Sequence, residues 1–232
     1  MNPSEVVSIN ERQLSDLKRL VARGEGLHLE FKRKASHPDK IVRELIAFAN
    51  TEGGILLIGV DDDRNIPGVK YPEEEALVIR QSLQKYCRPL ISLNESVIPI
   101  STKKFVVRLD VIPNPKRPHY FKLNHHSTES YVRANDMSVK ASREMLEIVR
   151  RAKRKKNIRF SFGDAEKTLM EYLEEKGSIS LTEFRAIAKL NRFIAAKKLI
   201  LLVLANVLQI RPTEKGDVYS RVNIYDVENS VR

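Results

Sequence analysis

Carboxylates and a lysine gather at two places in the first third of this chain, and their types suit work on a phosphate. In Gly24-Glu25-Gly26-Leu27-His28-Leu29-Glu30-Phe31-Lys32, the apolar Leu27, Leu29 and Phe31 alternate with His28, Glu30 and Lys32. That period of two predicts a half-buried strand whose polar face carries His28, Glu30 and Lys32 together. The second place is Asp61-Asp62-Asp63, at the C-terminal end of the apolar run over 55–60. Carboxylate oxygens are hard donors suited to Mg²⁺ or Mn²⁺, and such ions activate water and stabilise charge on a phosphate. Lys32 on the strand face of Glu30 would add to that stabilisation. The plainer chemistry of the same residues is an ion pair between Glu30 and Lys32 and a turn over 61–63.

Positioning these groups requires the elements around them. Leu14, Leu17, Leu20 and Val21 recur at helical spacing over 10–22, which predicts a helix with one apolar face. Ser36 and Asp39 are spaced for a capping box ahead of a helix whose inner stripe is Ile41, Val42, Leu45, Ile46 and Ala49. Residues 50–54 end that helix through two glycines, and the run over 55–60 reads as a strand covered on both faces. A helix over 73–86, strands over 96–100 and 104–112, a strand pair around 119–123 and 130–133, and a helix near 141–152 follow. Helices and strands are interspersed without a strict parallel repeat, so the expected class is α+β (mixed α/β), a mixed sheet flanked by helices.

The L-E-F-K strand, the run Ala47-Phe48-Ala49-Asn50-Thr51-Glu52-Gly53-Gly54 and the strand Ile58-Gly59-Val60-Asp61 together resemble the Schlafen AlbA-type domain, through about residue 150. The resemblance implies nucleic-acid binding. In the nucleases of this type it implies a divalent-metal centre, and the matching positions here are Glu25, Glu30 and Asp61, with Asp62 as the alternative to Asp61 and Lys32 beside them. Mg²⁺ or Mn²⁺ would then be needed for cleavage, whereas binding alone requires no cofactor. Tyr131 and Arg133 match the Tyr-x-Arg strand of the pattern, but Ala134-Asn135 replaces the glycine that commonly follows. The domain has also been described as a divergent AAA-type ATP-binding fold. This chain has no Gly-x-x-x-x-Gly-Lys-Ser/Thr loop to cradle phosphates, so Gly53-Gly54 is better explained as a turn.

The formal net charge of +11 favours a polyanionic partner. In the first domain, Lys32, Lys116, Arg117, Arg133 and Lys140 are the candidate phosphate contacts. The single cysteine, Cys87, permits no internal disulfide and reads as a half-buried apolar residue. The expected divisions are 1–152, a basic linker over 153–163 and a second domain over 164–232. That second domain has three helices and a hairpin around Pro212-Thr213-Glu214-Lys215-Gly216-Asp217, and it resembles a winged helix-turn-helix. In such a domain Asn191, Arg192, Lys197 and Lys198 would lie on the groove-entering helix, and Arg211 and Lys215 on the wing. The apolar stretch over 199–204 is either core or a dimer interface.

The expectation is a cytoplasmic, membrane-free regulator that binds double-stranded DNA, with a second copy of itself as the candidate protein partner in a homodimer. A metal-dependent nuclease for DNA or structured RNA is the competing class, and an ATP-binding or protein-interaction adaptor is the third.

Overall fold

The computed structural model describes residues 9–113, 116–152 and 160–222, and the chain divides into two compact units, one ending at Lys140 and the other starting at Ala141. The expected division at 152 therefore moves. The helix over Arg143–Arg151 packs with the second unit, because its buried Met145, Ile148 and Val149 need an apolar neighbour. Most of the expected linker, 153–159, lies outside the described residues.

The first unit runs α1 (Glu11–Ala22), β1 (Leu29–Lys32), α2 (Pro38–Asn50), β2 (Gly54–Ile58), α3 (Pro72–Tyr86), β3 (Cys87–Arg88), β4 (Leu93–Ser101), β5 (Lys104–Val111), β6 (Tyr120–Lys122), β7 (Thr128–Glu129), β8 (Tyr131–Ala134) and β9 (Met137–Lys140). Its main sheet has the order β1-β2-β5-β4, with β1 parallel to β2 and the other pairs antiparallel. Both faces are covered. Leu56, Ile58, Val107, Leu109 and Val111 pack with Ile41, Leu45, Ile46 and Phe48 of α2 and with Ala76, Ile79 and Leu83 of α3. Leu29, Phe31, Leu57, Ile98 and Val106 pack with Leu17 and Val21 of α1. Because side chains alternate along a strand, placing Leu29 and Phe31 against α1 turns Glu30 and Lys32 toward α2. The polar face of β1 is therefore an interior face, not a wet one.

The end of α2 fastens the smaller strands. Asn50 is buried, and its Nδ2 lies within 3.0 Å of the carbonyls of His119 and Tyr131 and 2.9 Å from Ser130 Oγ. Its Oδ1 accepts the His119 N–H at 2.7 Å. Thr51 adds a carbonyl that accepts from Arg117 Nη1 at 2.7 Å and a hydroxyl that accepts the Arg133 N–H at 3.0 Å. The glycines that follow are sterically required. A Cβ on Gly53, whose φ is +81°, would fall 2.5 Å from the Val111 carbonyl, and one on Gly54 would fall 2.4 Å from the Phe48 ring.

Two local expectations give way to longer-range contacts. β6 pairs with β3 and β7, and β8 pairs with β9, so the stretches around 119–123 and 130–133 are not partners. Helix α2 is capped at His37 without a side-chain bond, and Asp39 pairs instead with Arg43 at 3.7 Å, so the Ser36–Asp39 box does not form.

The second unit runs α4 (Arg143–Arg151), α5 (Asp164–Lys176), β10 (Ser178–Ser180), α6 (Leu181–Ile187), α7 (Arg192–Leu204), β11 (Leu208–Arg211) and β12 (Val218–Arg221), with the antiparallel sheet order β10-β12-β11. Its core is Leu169, Leu173, Ile179, Phe184, Ala195, Leu199, Leu202, Leu208 and Tyr219. Leu199, Ile200 and Leu202 are buried within the chain, so they need no dimer partner to cover them. Among the described residues no helix is long and apolar enough to cross a membrane.

Replacing Asn50 with alanine strands the buried His119 N–H and takes the amide donor from the Tyr131 carbonyl, while the His119 carbonyl keeps Ser130 Oγ. At about 1–3 kcal/mol for each group left unpaired, Asn50→Ala is expected to lower stability by about 3 kcal/mol in urea titrations of the full chain.

Candidate functional site

The interior face of β1 gathers three carboxylates and two cations. Glu30, whose side chain is 8% exposed, bonds to Lys32 through one oxygen and to Arg133 Nη1 at 3.0 Å through the other. Lys32 also reaches Glu44 of α2 at 3.3 Å. Glu25 accepts the Phe31 N–H at 2.8 Å. Arg133 is 3% exposed, and it donates to the Gly26 carbonyl at 2.6 Å and to Ser138 Oγ at 3.1 Å. The guanidinium lies 4.7 Å from the centre of the Phe48 ring. Arg133 is thus a buried tie between β8, β1 and α2 and no surface phosphate contact, which corrects its sequence-based role.

Protonation follows from this crowding. Burial and then repulsion from Glu30 push Glu44 up from 4.5 to about 7, against the attraction of Lys32. Burial also raises Glu25, partly offset by the N–H of Phe31. Lys32 is pulled down by burial, but Glu44 and Glu30 outweigh that effect and hold it above its ordinary value. Near neutral pH, a proton shared with Glu44 therefore keeps the cluster close to charge balance.

A metal triad of Glu25, Glu30 and Asp61 does not fit this arrangement. Both oxygens of Glu30 are committed to cations. Asp61 Oδ1 accepts the Asn65 N–H at 2.9 Å, closing its own turn, and β1 pairs Glu30 with Leu56, five residues before Asp61. Among the described residues no group of three or more His, Cys, Asp or Glu side chains is placed to hold a metal ion. The ion pair and the turn foreseen as the plainer chemistry are what the geometry contains. Sequence reading passed over Glu44, although its position was informative. It shares a helical stripe with Ile41, Leu45 and Phe48, all buried, and a carboxylate on such a stripe needs an interior partner.

The other candidate cations differ in availability. In the first unit Lys116 is exposed, Arg117 anchors Thr51, and Lys140 pairs with Glu129 at 2.5 Å. In the second unit Asn191 caps α7 by accepting the Ile194 N–H at 2.9 Å. Arg192 pairs with Glu144 at 3.0 Å, and Lys198 with the buried Glu166 at 2.5 Å. Burial acts to raise Glu166, but Lys198 and the Gly163 N–H hold it below its ordinary value. Lys197, Arg211 and Lys215 are exposed and make no ion pair among the described residues. Phe193, which lines the same groove as Lys197 and is 77% accessible, is an exposed aromatic that sequence reasoning did not single out.

The raised Glu44 predicts a pH signature with a definite sign. Below about pH 4.5 the carboxyl is neutral in both folded and unfolded chains and imposes no cost. Between about 4.5 and 7 only the unfolded chain ionises, so stability falls with rising pH, by up to about 3 kcal/mol in all. Glu44→Gln removes that fall. The variant is expected to match the wild type near pH 4 and to exceed it by about 1–3 kcal/mol at pH 8 in denaturant titrations.

Comparison with known proteins places this geometry in a family. The family model described as Schlafen, AlbA_2 matches residues 25–142, which contain the whole cluster and the Asn50 clasp. A solved structure, the DIP2311 protein from Corynebacterium diphtheriae, is similar over 91% of this chain at 16% identity, with a TM-score of 0.44; this chain spans 38% of that one. No curated protein matches. With half of its length covered by the family model, the chain belongs to the Schlafen AlbA_2 family.

Proposed function

We propose that this protein binds double-stranded DNA without cutting it, as a transcriptional regulator whose second unit is a winged helix-turn-helix. The observation that carries the non-cutting reading is the burial of Glu30 between Arg133 and Lys32. Hydrolysis of a phosphodiester by a metal centre needs carboxylate lone pairs open to both the ion and the substrate, and Glu30 offers neither. Nucleic acid as the ligand class is supported by family membership and by the net charge of +11.

The duplex reading draws on the second unit. Helix, strand, two helices and a hairpin follow one another, and the hairpin β11–β12 carries Arg211 at the last pair before its turn and Lys215 within the turn. In this reading α7 runs along the major groove and the hairpin lies against the backbone. The cations that remain available, Lys197, Arg211 and Lys215, suit phosphates more than base edges, since Arg192 and Lys198 are held by carboxylates and Asn191 by its cap. Affinity then comes mainly from backbone neutralisation and falls steeply with salt.

The test uses end-labelled duplex DNA, single-stranded DNA and a structured RNA, each incubated with the full chain in Mn²⁺ or chelator across a salt series. The expected result is retarded, intact duplex in both conditions. Arg211→Glu with Lys215→Glu should flatten the salt dependence by about two in log–log slope. Metal-dependent shortening that disappears in Glu30→Gln would replace this reading with a nuclease.

A further inference from the structure

Helices α4 and α7 enclose a groove of about 660 Å³, lined by Arg143, Glu144, Glu147 and Arg151 on one side and by Arg192, Phe193, Ala196, Lys197 and Ile200 on the other. That volume is within the range of about 300–1,000 Å³ that holds small molecules. Its apolar side follows from helical spacing. Phe193, Ala196, Lys197 and Ile200 stand at i, i+3, i+4 and i+7, so one stripe presents a ring, a methyl group and a branched chain with an ammonium beside them. The opposite wall is fixed at two points. Ser142 donates to Asp217 of the hairpin, and Glu144, itself buried, holds Arg192 at 3.0 Å.

The charges select the ligand. Glu144 is matched by Arg192, and Glu147 by Arg151 at 2.5 Å and by Arg150. Arg143 and Lys197 are the lining cations that make no ion pair or hydrogen bond among the described residues, and they stand beside an aromatic ring that is 77% exposed. A single anionic head beside an apolar body matches that set. A polyanion fits less well, because Glu144 and Glu147 share the wall and would repel additional negative charge.

We propose that the α4–α7 groove is a binding site for a small amphipathic monocarboxylic acid, its apolar body on Phe193, Ala196 and Ile200 and its carboxylate between Arg143 and Lys197. The site shares α7 and Lys197 with the proposed duplex contact, but its argument does not rest on that reading and its test contains no nucleic acid. Octanoate, octyltrimethylammonium and 1-octanol are titrated into the full chain and followed by calorimetry and amide NMR shifts. Octanoate is expected to saturate one site and to bind at least about ten-fold more tightly than the alcohol, because hydrogen bonds to a charged group are stronger than those to a neutral hydroxyl. The cationic probe should bind most weakly. Arg143→Gln with Lys197→Gln should erase the preference for the acid while leaving weak binding of the alcohol. Phe193→Ala, at an exposed position that the fold does not need, should weaken both. Absence of saturable octanoate binding, equal binding of the cationic probe, or octanoate binding unchanged in both variants overturns the proposal. So does a groove that ignores octanoate and takes an acidic amphipathic peptide, which would make it a protein-docking surface.

Discussion

Burying a guanidinium costs several kcal/mol unless its charge and its N–H groups are met by fixed partners, and the first unit is organised around meeting that condition for Arg133. Glu30 supplies the opposite charge, Gly26 and Ser138 supply acceptors, and the Phe48 ring covers a face of the ion. The partners come from the β1 segment, from α2 and from β9, so the pairing fixes β8 against both β1 and α2. The Asn50 and Thr51 clasp performs the same service for the backbone around it, holding His119, Ser130, Tyr131 and Arg133 to the last turn of α2. Within the family motif Ala47-Phe48-Ala49-Asn50-Thr51-Glu52-Gly53-Gly54, five residues are thus explained as architecture. Phe48 packs under the guanidinium, Asn50 and Thr51 bind backbone, and the glycines leave room for Val111 and Phe48.

The same constraint decides the chemistry. A carboxylate gripped by two cations in a desolvated setting has little affinity left for a divalent ion. Around it the protein accepts a carboxyl, Glu44, that holds its proton to about pH 7. Excess acid in this cluster is neutralised by protons and by Lys32 and Arg133. Glu30 and Glu44 are counter-ions of Lys32 and Arg133, Asp61 closes its own turn, and Lys197, Arg211 and Lys215 of the second unit are exposed and make no ion pair among the described residues.

Much of this was legible in the sequence, and the parts that were not share a cause. Periodicity located the helices α1, α3 and α7 and the alternation of β1 because those signals are local. Alternation states that Glu30 and Lys32 share a face; it does not state that a helix covers that face. The burial of Arg133 depends on Glu30, over a hundred residues earlier in the chain, and no local pattern in Tyr131-Val132-Arg133 distinguishes a surface cation from a core one. β6 pairs with the distant β3, which no local pattern announces, whereas β8 and β9 form a short hairpin that turns at Asn135, whose φ is +57°. In the second unit, three helices and a hairpin were readable, whereas the capture of Arg192 by Glu144 depended on assigning α4 to that unit. Glu44 is the exception, since its place on an apolar stripe was a local signal that an interior charge partner existed.

The central claim is that Glu30 and Arg133 are bound to each other as structure, and a double-mutant cycle measures that directly. Stabilities of wild type, Glu30→Gln, Arg133→Met and the double variant are determined in urea at pH 7. The buried pair predicts that each single change costs about 3–5 kcal/mol by leaving the other charge unpaired, and that the double change costs clearly less than the sum, with a coupling of about 2 kcal/mol or more. Single changes that cost under about 1 kcal/mol and simply add would contradict it, and would return Glu30 to the set of residues free to serve a ligand.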